Sequence, residues 1–249
     1  MLNAKHHTTH NPTQSSVNLF ERHPSIGTAG VMTMDDSKLR QDVLDELDWQ
    51  PHIPSAQIAV TADQGIVRLS GHVSTYAEKV AAEQAVKRVV GVRAAVLESL
   101  EVRVADEIAD ADEEIGMRAR TSIGWAALVP SGRVEVSVAN RWVTLSGQLD
   151  WHFQRAAAET IVRNLAGVAG VANEITLRAQ PQTTDLKSPI ERALRRSADL
   201  DARFIRVKVV DGLVTLEGVV GSWYARERAR DAAWMAPGVS AVRDLLIVA

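Results

Sequence analysis

Cysteine is absent from the 249 residues, which excludes disulfide bridges, a thiolate nucleophile and any Cys-based metal site. Aromatic residues are scarce at 4%, yet six of them are Trp, against two Tyr and three Phe. The net charge is only −3, and no dense basic face of the kind nucleic acid requires is apparent. Nucleic acid is therefore not an expected partner. No stretch approaches the roughly 18 apolar residues of a membrane span. Residues 1–33 are rich in His, Thr, Asn, Gln, Ser and Pro and lack the apolar core of a secretory leader. A cytoplasmic location is the expectation, and Met32 and Met34 offer later starts. The same stretch reads as a disordered polar tail. Its His6, His7 and His10 have no supporting carboxylate, so no metal site is expected. A G-x-S-x-G elbow, a P-loop and an H-E-x-x-H pair are all missing. Neither enzymatic activity nor a cofactor is expected, and no residue is assigned a catalytic role.

What is present is a phrase repeated three times. Val67-Arg68-Leu69-Ser70-Gly71 returns as Val143-Thr144-Leu145-Ser146-Gly147 and again as Val214-Thr215-Leu216-Glu217-Gly218, at offsets of 76 and 71 residues. Gly91-Val92, Gly167-Val168 and Gly238-Val239 keep the same offsets. Two marks in one register indicate a triplicated unit. The expected organisation is a tail over 1–33 and units over 34–105, 110–180 and 184–249. Each unit is small enough to be marginal alone, so contacts between units should matter. Counted over 34–105, 106–183 and 184–249, the charges are −3, −3 and +2, which sets the third stretch apart.

Each unit reads helix–strand–strand–helix–strand. In the first, Leu39, Val43, Leu44 and Leu47 form one helical stripe. Ile58 and Val60 face the same way as Val67 and Leu69 across a turn at Gln64-Gly65. Ser74 is the expected cap of a second helix, whose stripe is Ala82, Ala85, Val86 and Val89. The second unit repeats this with Ile115, Ala119 and Ile123, a turn at Asn140-Arg141, a cap at Asp150, and Ala158, Ile161, Val162 and Leu165. In the third, Ser188-Pro189-Ile190-Glu191 signals a helix start, Asp211-Gly212 a type I′ turn, and Arg206 should lie opposite Glu217. A hairpin followed by a helical crossover gives a three-stranded mixed sheet with two helices on one face. The fold class is α+β, in three tandem α-β-β-α-β domains.

At the turn, the V-x-L-x-G phrase, the aromatic opening the second helix (Tyr76, His152, Trp223) and the closing Gly-Val, the sequence resembles the BON domain family, named for bacterial osmotically inducible periplasmic and nodulation proteins. Unit one carries one extra residue before its last strand. The resemblance implies the α-β-β-α-β fold and a binding module. It also implies association with phospholipid membranes or the cell envelope, often in a stress response. Many members are periplasmic, which the missing leader sets against this chain.

The second helix of unit three carries the candidate site. Stepping 100° per residue, Trp223, Arg226, Arg230 and Trp234 fall on one side and Ala225, Ala229, Ala232 and Ala236 near the other. With the Ala side inward, the stripe is expected to face outward and, with Tyr224, to bind an anionic phospholipid surface or a protein partner. The counterparts are Tyr76, Lys79, Glu83 and Lys87, and His152, Arg155, Glu159 and Arg163. Packing of these Trp residues against another unit or a second copy of the chain is the competing reading. Trp49 and Trp125, one repeat apart, are expected in the core or an interface. Trp142, Leu213 and Ile66 project from the sheet face that no helix covers, as candidate inter-domain or self-association contacts. His52, His72 and His152 read as surface or turn residues. The functional expectation is a non-enzymatic, membrane- or partner-associated binding protein. The alternative is a self-assembling scaffold or stress-protective holdase, in which the partner is a homo-oligomer.

Overall fold

A computed structural model describes residues 35–103, 111–178, 185–197 and 200–249. The tail over 1–33, with its three His, and the greater part of both linkers lie outside the described residues. Unit one comprises α1 (Asp36–Asp48), β1 (Ile58–Asp63), β2 (Ile66–Val73), α2 (Tyr76–Arg88) and β3 (Ala94–Val102). Unit two comprises α3 (Ala111–Gly124), β4 (Val134–Ala139), β5 (Trp142–Leu149), α4 (His152–Arg163), β6 (Gly170–Asn173) and β7 (Thr176–Leu177). Unit three comprises α5 (Lys187–Arg196), β8 (Ile205–Val210), β9 (Leu213–Val220), α6 (Trp223–Trp234) and β10 (Ala241–Val248).

In every unit the hairpin is antiparallel and the third strand runs parallel to the second, leaving the central strand between them. The fold is α+β, as the pattern requires. Each unit has its own core. Leu39, Val43, Leu47, Val67, Leu69 and Leu100 are fully or almost fully enclosed in unit one, with Ile115, Val143 and Leu145 in unit two and Ile190, Val214 and Leu216 in unit three.

The repeated phrase is legible in backbone terms. Its Val and Leu are the inward residues of the central strand. Its Gly adopts φ of +117°, +125° and +136° at Gly71, Gly147 and Gly218. A Cβ there would overlap the carbonyl oxygen of Gln57, Arg133 or Phe204, at the start of the hairpin's first strand. Only glycine meets both demands. Both central residues of all three hairpin turns have positive φ, as type I′ turns require. Two of these turns are clamped from the first helix. Asp36 accepts from the Gln64 and Gly65 N–H groups at 3.0 and 3.4 Å, and Asp112 accepts from Asn140 and Arg141 at 2.8 Å each.

The extra residue of unit one appears as a register shift between Arg68 and Ser70 in the β2–β3 pairing. Helix starts differ from expectation. Thr75 rather than Ser74 caps α2, in a reciprocal pair with Glu78. At α4 the Gln154 side chain accepts from the Asp150 and Trp151 N–H groups, and the Asp150 carboxylate instead lies 3.6 Å from Arg178. α5 begins upstream of Ser188, whose N–H donates to Asp185 at 3.0 Å. The earlier start lets Leu186 be buried in the register of Leu39 and Ile115.

Candidate functional site

The helix that follows the repeated phrase has two working faces. One packs on its own sheet through Ala82, Ala85 and Val86 in α2, Ala158 and Val162 in α4, and Ala225, Ala229 and Ala233 in α6. The other meets a neighbouring unit. Tyr76 packs against the core of unit two, with the Val171 backbone beside its phenol. His152 stacks on Trp234 of unit three, with ring centroids 4.1 Å apart and planes 11° apart. Trp223 packs against the cores of both unit one and unit three, with Lys87 Nζ 5.1 Å from its ring centroid. Helices α2 and α6 contact each other directly. One repeat position thus links unit one to two, two to three, and three back to one. The contacts close a ring of equivalent helix positions.

This arrangement corrects the outward placement of the α6 stripe. Trp223 and Trp234 are half-buried on seams between units, as the competing reading held. Three units of this size gain stability by sharing the faces that a lone unit would leave wet. Arg226 is also committed: its Nε donates to Asp244 at 2.7 Å, and its guanidinium lies 4.6 Å from the Trp223 ring. Lys79 and Arg155, its counterparts, donate to the carbonyls of Leu100 and Asn173 on their own third strands, at 2.6 and 2.9 Å. These cations brace helix to sheet. Of the expected set, Tyr224 (49% exposed) and Arg230 remain open to solvent, with Arg228 resting 5.7 Å from the Tyr224 ring.

The seams perturb the groups inside them. Burial pushes the Tyr76 phenol above its ordinary value, with Glu159 and Glu83 adding to the effect, against the Val171 hydrogen bond and Arg163. Burial likewise lowers His152, with help from Arg155 and Arg230, against Asp231 and Glu159. His152 is therefore a seam residue rather than a surface or turn residue.

Trp49 and Trp125 were expected inside, yet they are 81% and 85% exposed at the ends of α1 and α3. The helical period carries the reason. Each lies two residues past a buried stripe residue, Leu47 or Ile123, and so about 200° away from it. Their counterpart in unit three is Arg196, next to Arg195, both exposed. Trp142 projects from the uncovered sheet face, half exposed, and lies across Gly170 on the paired strand, in space that a Cβ at Gly170 would need. Arg206 does approach Glu217, at 3.6 Å, and Lys208 joins it at 2.7 Å. Among the described residues, no group of three His, Asp or Glu could hold a metal ion. No described helix is long and apolar enough to cross a membrane.

The geometry defines a class, namely tandem α-β-β-α-β modules that meet one another through their second helices. The chain belongs to the BON domain family, whose model matches residues 35–103, 111–179 and 182–249. It is 37% identical over 149 residues to osmotically-inducible protein Y of Escherichia coli (strain K12), a match covering 57% of this chain and 72% of that protein. A structure of CdsD, a structural protein of the type III secretion system of Chlamydia trachomatis, aligns over 85% of this chain and 92% of its own at 15% identity. The TM-score of 0.22 is too low to carry an argument.

Proposed function

We propose that this chain is a non-enzymatic, stress-related binding protein that docks on an anionic phospholipid surface. The observation that carries the reading is the pair of exposed indoles, Trp49 and Trp125, at equivalent positions. Arg196, beside Arg195, holds the same repeat position in unit three, and both are exposed. Indole rings settle at the headgroup level of a bilayer, and arginines meet lipid phosphate. Asp45 and Asp48 lie near Trp49, so the electrostatic share is modest and insertion of the rings carries most of the affinity. The BON domains and the osmotically-inducible relative support the stress role.

Flotation with phosphatidylcholine vesicles, with and without phosphatidylserine, tests this. Trp49→Ala with Trp125→Ala should weaken binding at least tenfold without altering the thermal midpoint. Arg195→Glu with Arg196→Glu should remove the preference for the anionic vesicles. A parallel Tyr224→Ala, Arg230→Ala variant reports on the exposed remainder of α6. Failure of the wild-type chain to float, or unchanged binding by the double Trp variant, rejects the reading. A second reading, self-assembly, has its own observation in Val219, Leu245 and Ile247, which are 45%, 52% and 60% exposed on the outer face of the third sheet.

A further inference from the structure

The three second helices start differently, and the difference lies beside a cleft. In unit one the Glu78 carboxylate accepts from the Ser74 and Thr75 N–H groups at 2.8 and 3.3 Å. In unit two the Gln154 carboxamide oxygen accepts from the Asp150 and Trp151 N–H groups at 3.2 and 3.1 Å. The repeat puts Ala225 at that place in unit three. Ser222 Oγ still caps the helix, accepting from the Ala225 N–H at 3.0 Å. The N–H groups of Gly221 and Ser222 meet no acceptor among the described residues. Both residues line an open cleft of about 740 Å³.

The walls change at the same place. Leu200, Phe204, Val219, Val220 and Ala225 line the cleft, with Phe204 61% and Val219 45% exposed. Phe204 stands where units one and two have Gln57 and Arg133, and Val219 where they have His72 and Gln148. Asp201, the acidic side chain on the wall, is already held by Arg203, whose Nε and Nη2 donate to it at 2.9 and 2.7 Å. Three departures from the repeat thus turn a polar, self-capped helix start into an apolar cleft lined by two backbone donors. The volume is within the range of small-molecule pockets, which pair apolar walls with a few fixed polar groups.

We propose that this cleft binds an aliphatic carboxylate. One oxygen accepts from the Gly221 and Ser222 N–H groups, in the role that Glu78 Oε2 fills in unit one, and the hydrocarbon chain covers Phe204 and Val219. The sibling helices select the polar end of the ligand, because the same pair of donors is met by a carboxylate in one and a carboxamide oxygen in the other. A purely hydrocarbon ligand would strip water from both donors and leave them unpaired, which is costly. The walls select the other end. Each methylene removed from water adds affinity, which favours a chain over a small acid such as acetate.

Titration calorimetry of the full chain with decanoate should show one saturable site, with acetate and decan-1-ol weaker by about tenfold or more. In amide spectra, decanoate should shift Gly221 and Ser222 more than their counterparts Ser74 and Thr75. Ala225→Glu, which supplies the side chain of unit one, should close the site. Decanoate should then bind about tenfold more weakly or worse, while the thermal midpoint holds or rises. Val219→Gln, the residue that unit two carries there, should weaken decanoate from the wall side. Trp49→Ala with Trp125→Ala should bind decanoate as the wild-type chain does, which separates this site from docking on vesicles. Lack of saturable binding up to about 1 mM decanoate would overturn the proposal. So would equal affinity for decan-1-ol, or undiminished binding by Ala225→Glu and Val219→Gln.

Discussion

Gly147 illustrates how tightly single residues are specified here. It has φ of +125°, and a Cβ would overlap the Arg133 carbonyl, so relief requires the hairpin to open. Gly147→Ala should cost about 3 kcal/mol or more, read as a drop in the denaturant midpoint. His152 gives a pH-dependent counterpart. Its folded-state pKa lies below the ordinary 6.5, so the unfolded chain takes up a proton that the native seam resists. Its contribution is fully present above 6.5 and is lost as pH falls through 6.5 towards the lower folded value. The thermal midpoint of the wild-type chain should therefore fall more between pH 7.5 and 5.5 than that of His152→Phe, which keeps a ring against Trp234 but cannot titrate. Equal slopes would remove His152 as the cause.

At the scale of elements, the second helices matter most because both of their long faces are used. Trp223 is shared between two cores and lies among Lys87 and Arg226. Trp223→Ala should lose about 2–3 kcal/mol, somewhat less than a fully buried aromatic, with the loss visible by hydrogen exchange in α2 as well as α6. Protection unchanged in α2 would show that the seam is energetically idle. The strand order, the three hairpin turns and the stripes of α1 to α4 and of α6 were legible because they obey local periods. The bulge in β3 was legible as one surplus residue. The caps of α2, α4 and α5 slipped by one or two residues, because neighbouring Ser, Thr, Asp and Gln compete for the same N–H groups and burial of Leu186 decided one of them. The exposure of Trp49 and Trp125 was readable from the 200° step past Leu47 and Ile123. The seams were not readable. Tyr76 and Glu159, or His152 and Trp234, meet only when separate units dock, and nothing in the spacing of either helix encodes its neighbour.

For the molecule as a whole, the ring explains why three imperfect copies persist as different copies. Each repeat position that builds a seam holds a different residue, namely Tyr76, His152 or Trp223, each facing a different partner. The seam between units three and one joins parts remote in sequence, so the ring is closed by contact rather than by the chain. Such a seam can be weak when measured between separate pieces. Units tethered by short linkers meet at an effective concentration on the order of millimolar. A contact with an intrinsic dissociation constant of about 10 μM would then be closed roughly 99% of the time. One half-buried aromatic and a few cations suffice for that. The covalent connection carries the entropic share of assembly, and the residues at the seams are left to decide which neighbour is correct.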